Sequence, residues 1–129
     1  MLIIDKETFG IGNKNLINNE NGELQYWTQP DFSYKKRLHI YDKNDNEIGY
    51  VQYKILSCQE GNGFFTKEDK QINLDEWNYQ NDKSEWNFDV YYKDALMSKI
   101  VNDDYLIKIT INDDSYINEC LFMIFGKIS

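Results

Sequence analysis

The sequence predicts a mainly β protein in which a closed antiparallel sheet surrounds one buried helix near the C-terminal end of the chain. Three observations lead to this fold class. Two similar segments near the N-terminus each resemble a β-hairpin, several later segments alternate between apolar and polar residues, and residues 116–128 are apolar on every side around their centre. Alternation with a period of two is typical of strands, whereas a segment that is apolar all round is buried all round.

The composition is that of one folded domain, which we predict to span residues 1–129. A chain of this length buries about two-thirds of its unfolded surface. Aromatic residues make up 16% of the chain, which favours a packed, β-rich core over disorder. The 14 basic and 22 acidic residues give a net charge of −8. Because binding to DNA or RNA needs a basic face, we expect no nucleic-acid partner.

An internal repeat is the first element along the chain. Residues 9–27 match residues 32–51 with an offset of 23, which rises to 24 inside the turn. Each copy has the pattern of a strand, an Asn/Asp-rich turn and a second strand, and Asn21-Gly22 suits the positive φ angles of a tight hairpin. The aligned pairs are Phe9 with Phe32, Ile17 with Ile40, Asn19 with Asp42, Glu23 with Glu47, and Leu24 with Ile48.

Two later segments continue with a period of two and predict strands with one strongly apolar face. Their apolar positions are Trp86, Phe88, Val90 and Tyr92 in the first, and Tyr105, Ile107, Ile109 and Ile111 in the second. The stretch between Glu60 and Lys83 is mostly polar, and we expect irregular loops there, although QINLDEWNY within it has some strand character.

The C-terminal segment from Tyr116 to Ile128 does not alternate, and it predicts a helix of three to four turns. Ser115 or Asp114 would cap its first amides, and the acidic residues at its start and Lys127 near its end suit the helix dipole. A final buried strand is the alternative. We expect the core residues of this helix to be Cys120, Leu121, Phe122, Ile124 and Phe125.

These motifs, in this order, resemble the LURP-one-related proteins of the tubby C-terminal-like superfamily. The resemblance rests on the segments FGIGNK, INNENGEL, FSYKKRLHIYDKNDNEI and INDDSYINECLFMIFGKIS, and it covers residues 1–57 and 86–129. It implies an antiparallel barrel, closed or nearly closed, of up to about twelve strands around a hydrophobic central helix. The motifs are structural, and none of them is catalytic.

Candidate chemical sites are few. His39 is predicted to point outward between inward-facing Leu38 and Ile40, and a catalytic role would need partners that the sequence does not supply. The loop beginning at Asp42 resembles a calcium loop, but it has Glu47 at the sixth position and Tyr53 at the twelfth. We therefore interpret it as a hairpin turn and predict no metal or cofactor.

The remaining acidic and sulfur-containing residues predict no site either. Asp103-Asp104 and Asp113-Asp114 lie at opposite ends of a predicted strand of about eight residues, which holds the two pairs ~25 Å apart. Cys58 and Cys120 are isolated in apolar runs, so we expect buried free thiols.

The function is expected to be that of a non-enzymatic binding or scaffold module with an unknown protein or small-molecule partner. The first alternative is a binder of membrane surfaces or phosphoinositide head groups, suggested by the superfamily and by the basic cluster Lys35, Lys36 and Arg37, although the net charge disfavours membrane contact. The second alternative is an enzyme with a site at the barrel mouth. Because the N-terminus lacks the pattern of a signal peptide, we expect a cytoplasmic protein, and we expect a monomer.

Overall fold

The structure is a computed structural model that describes residues 1–10, 12–33, 35–53 and 62–127. The described residues form ten β-strands followed by one α-helix, which a single 3-10 turn at Asp114–Tyr116 precedes. The elements are β1 (Leu2–Asp5), β2 (Asn15–Asn19), β3 (Leu24–Asp31), β4 (Arg37–Asp42), β5 (Glu47–Gln52), β6 (Gly63–Phe65), β7 (Trp77–Ser84), β8 (Asn87–Tyr92), β9 (Ala95–Asp103), β10 (Leu106–Ile111) and α1 (Ile117–Lys127).

All ten strands belong to one antiparallel sheet, in the order β6-β5-β4-β3-β2-β1-β10-β9-β8-β7. Neighbours in the sheet are also neighbours in sequence, except where β1 pairs with β10 and sets Ile4 opposite Ile107. The prediction of a mainly β, antiparallel fold with one C-terminal helix is confirmed. In the described part of the chain, however, no hydrogen-bonded ladder joins β6 to β7. Hydrogen bonding therefore leaves the sheet open between these two strands.

The repeated hairpins are present, but their structural alignment differs from the predicted one. Each hairpin has a β-bulge at the same place, after Ile17 in the first and after Ile40 in the second, and beyond it Leu24 and Glu47 take equivalent positions. The offset therefore stays at 23, and the predicted rise to 24 is wrong. The reason is that Asp45 adopts a positive φ of 65° at the position where the first turn has Gly22, with a φ of 80°. The second turn therefore closes with the same number of residues as the first.

The same kind of turn occurs a third time, in the stretch where we expected irregular loops. The main-chain carbonyl of Thr66 accepts a hydrogen bond from the amide of Asp69, and the main-chain amide of Thr66 donates one to the carbonyl of Lys70. Asn19 and Asp42 make the same pair of main-chain bonds in the first two turns. The expectation for residues 60–83 is wrong where β6 and β7 form. β7 was missed because only Trp77 and Tyr79 among its residues face the interior, which is too short an apolar pattern to predict a strand.

Helix α1 lies against the inner face of the sheet, and its central residues are buried on every side. The apolar side chains of nearly every strand pack around it in one hydrophobic cluster. The prediction of a helix is confirmed, with Ile117 as its first residue, whereas Tyr116 belongs to the 3-10 turn and Ile128 lies outside the described residues. The buried positions of the helix are Cys120, Leu121, Phe122, Met123, Ile124 and Phe125.

Asp113, and not Ser115 or Asp114, caps the start of the helical region. Its Oδ1 atom accepts hydrogen bonds from the amide of Ser115 at 3.1 Å and from the hydroxyl of Ser115 at 2.6 Å. These bonds lower the pKa of the Asp113 carboxyl, so its negative charge is retained at the positive end of the helix dipole.

Candidate functional site

A cavity of about 840 Å³ lies between the two edges of the sheet. One wall follows β6 and residues 71–74, which return alongside it through a hydrogen bond of 2.7 Å from the amide of Ile72 to the carbonyl of Phe64. The other wall is the first half of β7. A tight turn, closed by a 3.0 Å bond from the amide of Trp77 to the carbonyl of Leu74, joins the two walls at one end. The cavity is therefore bounded by the strands that hydrogen bonding leaves unjoined.

The C-terminal end of α1 forms the floor of the cavity. The last carbonyls of a helix have no partner within the helix, and here side chains from the sheet supply the missing donors. The hydroxyl of Tyr53 donates to the carbonyl of Phe125 at 2.8 Å, and the amide of the Asn62 side chain donates to the carbonyl of Gly126 at 2.7 Å.

Tyr79 also donates to the helix, from the opposite wall, to the carbonyl of Met123. Burial raises the pKa of both Tyr53 and Tyr79, so their hydroxyls remain protonated donors at neutral pH. These bonds attach both walls of the cavity to the helix.

Aromatic rings line the cavity and are held in place by other rings. Trp77 is stacked on Tyr92 at a centroid distance of 4.9 Å and meets Tyr116 edge-on at 5.9 Å. Tyr79 meets Phe88 edge-on at 5.7 Å. Each such pair stabilises the fold by about 0.5–1.5 kcal/mol in addition to the gain from burying the surface of the rings. The wall therefore presents fixed apolar surfaces. The full lining consists of Asn62, Gly63, Phe64, Gln71, Ile72, Asn73, Leu74, Asp75, Trp77, Tyr79, Met123, Gly126 and Lys127.

The charged groups of the lining are Asp75 and Lys127. The Lys127 ammonium lies 2.7 Å from Asp82 and above the rings of Tyr79 and Phe88, at 5.5 Å and 5.6 Å from their centroids. Asp75 makes no ion pair with any residue that the structure describes. A second, smaller cavity of about 360 Å³ along β7 shares Lys127 with the first.

The predicted basic cluster is not part of this cavity, and the side chains of Lys36 and Arg37 contact different rings. Arg37 folds over the ring of Tyr50, at 4.5 Å from the centroid, and donates from Nε to Gln52 at 3.1 Å. Lys36 lies at 5.9 Å from the ring of Tyr53. Lys35 is exposed. Arg37 is the first residue of β4 and Lys36 precedes the strand, and because these two side chains contact different rings they do not form one basic concavity.

His39 faces outward, while Leu38 and Ile40 are buried. It is not a solvated strand residue, because its Nδ1 atom lies 3.1 Å from a carboxylate oxygen of Glu47 and its ring lies 5.2 Å from that of Tyr50. Its side chain is 19% exposed. The hydroxyl of Tyr50 donates to Asp69 at 2.7 Å, so it is not available for activation by His39.

The acidic residues that we considered as ligands have structural partners. Oδ1 of Asp42 accepts the amides of Asn44 and Asn46 at 2.9 Å and 3.0 Å, which closes the second hairpin turn. Asp103 pairs with Lys108 at 2.7 Å. Among residues 1–10, 12–33, 35–53 and 62–127, no group of three acidic, histidine or cysteine side chains is placed to hold a metal ion. Cys120 is a buried free thiol, and Cys58 lies outside the described residues.

Sequence reasoning missed the residues that line the cavity. A usable signal was the presence of Phe64, Phe65, Trp77 and Tyr79 in a stretch that is otherwise polar. Aromatic residues in such a stretch indicate local packing or binding, but sequence spacing does not show that this stretch supplies both edges of the sheet.

Comparison with known proteins supports the fold and does not identify a function. No protein-family model and no curated protein matches the sequence. The chain is similar to an X-ray structure of a protein from Arabidopsis thaliana, with a TM-score of 0.55 and 13% identity, over 98% of this chain and 90% of that one. At this identity the likeness shows a shared fold. No helix in the described residues has the length and apolar character needed to cross a membrane.

Proposed function

We propose that the protein is a LURP-one-related domain of the tubby C-terminal-like superfamily, with its sheet wrapped as a barrel around α1. Two observations support this assignment. The sequence has the paired N-terminal hairpins and the acidic, then apolar, C-terminal segment of that family. The fold is similar to that of the Arabidopsis protein over nearly the whole length of both chains.

The proposed activity is that of a binding module whose site is the cavity between β6 and β7. The observation that carries this proposal is the fixed aromatic wall of Trp77 and Tyr79 above the end of the helix. Pockets for small molecules typically enclose about 300–1,000 Å³ and combine apolar walls with a few polar groups. A cavity of about 840 Å³ with Asn62 and Gln71 among its lining residues has that character.

A binding role is favoured over catalysis because the titratable groups at the cavity already serve the fold. The hydroxyl of Tyr79 is committed to the carbonyl of Met123, and the charge of Lys127 is balanced by Asp82. A general acid or base must be free to exchange a proton with its substrate. Asp75 forms no ion pair with Lys127, or with any other residue that the structure describes, that could complete an acid–base couple.

A membrane-binding role has less support from the geometry. Head groups that carry phosphate require converging basic groups, and Arg37 and Lys36 are directed to different aromatic partners. The net charge of −8 also opposes approach to an anionic surface.

The proposal can be tested by fragment screening with protein-observed NMR. We expect compounds with apolar rings to shift the amide signals of Phe64, Trp77 and Gly126. A Leu74→Trp variant, which fills the cavity from a half-buried position, should abolish these shifts. The matched control is Leu16→Trp on the exposed face of β2, where Leu16 is 47% exposed, and it should bind like the original chain. Absence of binding, or binding that Leu74→Trp leaves unchanged, would overturn the proposal.

A further inference from the structure

The edge of β7 presents main-chain hydrogen-bonding groups to the cavity. The amide of Lys93 donates to the carbonyl of Glu76 at 2.9 Å, so Glu76 directs its main-chain groups toward β8. In an antiparallel pair this direction alternates along the strand. Trp77 and Tyr79 therefore direct their main-chain amides and carbonyls away from β8. The bond from the Trp77 amide to the Leu74 carbonyl agrees with this direction. The amide and carbonyl of Tyr79 face the cavity side.

Among the described residues, the second half of this edge is protected against pairing with another strand, whereas in the first half one amide, that of Trp77, is already bonded to Leu74. The register of β7 against β8 breaks between Gln80 and Ser84, and Asn81 has a φ of 53° and donates to the buried Asp89 at 2.7 Å. Bulges of this kind bend an edge away from approaching strands. The first half, Trp77 to Gln80, keeps a regular register and is the half that lines the cavity. The main-chain groups that this half directs to the cavity side are the carbonyl of Trp77 and the amide and carbonyl of Tyr79, since the Trp77 amide is bonded to Leu74.

Side chains beside this edge alternate between the cavity and the solvent. Trp77 and Tyr79 are half-buried against the hydrophobic core, whereas Asn78 and Gln80 are exposed. A strand added beside β7 would follow the same alternation, since its pleat continues that of the sheet. Every second residue would then enter the cavity near Phe64, and the residues between them would face water.

The charges around the cavity favour a basic occupant. Asp75 has no ion pair among the described residues, and the one lysine of the lining is neutralised by Asp82. The C-terminal end of a helix carries a partial negative charge, and the end of α1 forms the cavity floor. The net charge of −8 adds a long-range attraction for cations.

We propose that the cavity binds an extended peptide segment of a partner protein, which adds a strand to the first half of β7. Its residues alternate between apolar side chains that enter the cavity and basic side chains that face the solvent beside Asp75. This inference rests on the proposed binding function and narrows it to one class of ligand. The main-chain bonds supply affinity, and the cavity selects the apolar residues.

The test is selection from a phage-displayed library of random linear twelve-residue peptides on the immobilised protein, followed by calorimetry with the synthetic peptides. We expect enriched peptides with alternating apolar and basic residues. Two further peptides are made from each selected sequence, one with N-methyl groups on the main-chain amides of the odd-numbered residues and one with them on the even-numbered residues. One of these two methylated peptides should bind at least tenfold more weakly, and the other should bind like the original peptide. Only a strand has main-chain amides that alternate between a partner and solvent.

Two substitutions locate the peptide. Asp75→Lys should weaken binding about two- to fivefold, the range measured for exposed charge pairs. Glu20→Lys, an equal charge change in the turn between β2 and β3, should leave binding unchanged. No enrichment, equal binding of both methylated peptides, or equal effects of the two substitutions would overturn the inference. If fragments still bind the cavity in that case, the proposed binding function stands and only the peptide is excluded.

Discussion

Gly49 on β5 lies against Phe122 on the helix so closely that a Cβ atom at Gly49 would be 2.8 Å from Cζ of that ring and 2.2 Å from the carbonyl oxygen of Phe65. The backbone oxygen belongs to the neighbouring strand and cannot move as a side chain can. Gly49 has a φ of 158°, so the steric contact, more than backbone strain, makes glycine necessary here.

Replacing Gly49 with alanine should therefore force β5 away from both the helix and β6. Overpacking of this kind typically costs about 1–3 kcal/mol of the free energy of unfolding, which denaturant titration measures. Gly12→Ala is the matched control, because a Cβ at Gly12 would meet its nearest atom only at 4.0 Å. Equal stability of the two variants would contradict the close packing of β5 on α1.

Truncating a fully buried ring of the helix should be among the most damaging changes. Phe125 is fully buried and packs against Phe9 at a centroid distance of 5.9 Å. Phe125→Ala should cost about 3–5 kcal/mol, since the cavity left behind cannot close. Leu16→Ala, at an exposed position, should change stability by less than about 0.5 kcal/mol. A small effect of Phe125→Ala in urea unfolding would show that α1 is not the centre of the core.

Stability should fall in alkaline solution. Burial raises the pKa of the Cys120 thiol from 9.0 to about 12, so between these values the unfolded chain loses a proton that the folded chain keeps. The stabilisation is therefore fully present below pH 9 and is lost as the pH rises toward 12. We expect the free energy of unfolding to decrease over this range, with a shallower decrease in Cys120→Ala. A flat profile up to pH 11 would refute the burial of the thiol.

Calcium should not stabilise the protein through the turn at Asp42. The Oδ1 atom of this carboxylate is already bonded to two amides of its own turn, which lowers its pKa and organises the hairpin. Millimolar calcium and millimolar magnesium should therefore shift the melting temperature equally. Asp42→Ala should lower the melting temperature in both salts. A saturable rise of the melting temperature with calcium alone, lost in Asp42→Ala, would show that this turn binds calcium.

Binding to anionic membranes should be too weak to detect at physiological salt. Each basic residue near such a surface contributes about 1 kcal/mol, and within the cluster of Lys35, Lys36 and Arg37 the last two side chains are directed to different rings. Sedimentation with phosphatidylcholine vesicles that contain phosphatidylinositol 4,5-bisphosphate should leave the protein in the supernatant. Pelleting that is sensitive to salt and disappears in the triple alanine variant would establish the membrane alternative.

Long periodic segments made most of the fold predictable. The hairpins around Asn19 and Asp42 carry their turn chemistry in adjacent residues, and the burial of α1 follows from its uniform apolar character. Such features depend on residues that are close together in the sequence. The second hairpin was misaligned by one residue because Asp45 replaces a glycine at a left-handed position.

The candidate site was not predictable because it arises from parts of the chain that meet only in three dimensions. Phe64, Trp77 and Met123 line one cavity only after β6 and β7 become the two edges of the sheet. The basic cluster shows that residues adjacent in sequence can have different surroundings in the fold. Lys36 and Arg37 are adjacent in sequence, but Lys36 lies near the ring of Tyr53 and Arg37 near that of Tyr50.

The position of α1 after every strand in the sequence has a consequence for biosynthesis. The ribosome adds about 5–20 residues per second, so the strands emerge before the segment that fills their interior. β1 must also wait for β10, because Leu2 pairs with Ile109. Until both have emerged, the apolar faces of the earlier strands lack part of the core that covers them. Such a chain is suited to protection by chaperones during translation, and its folding rate is limited by contacts between distant residues.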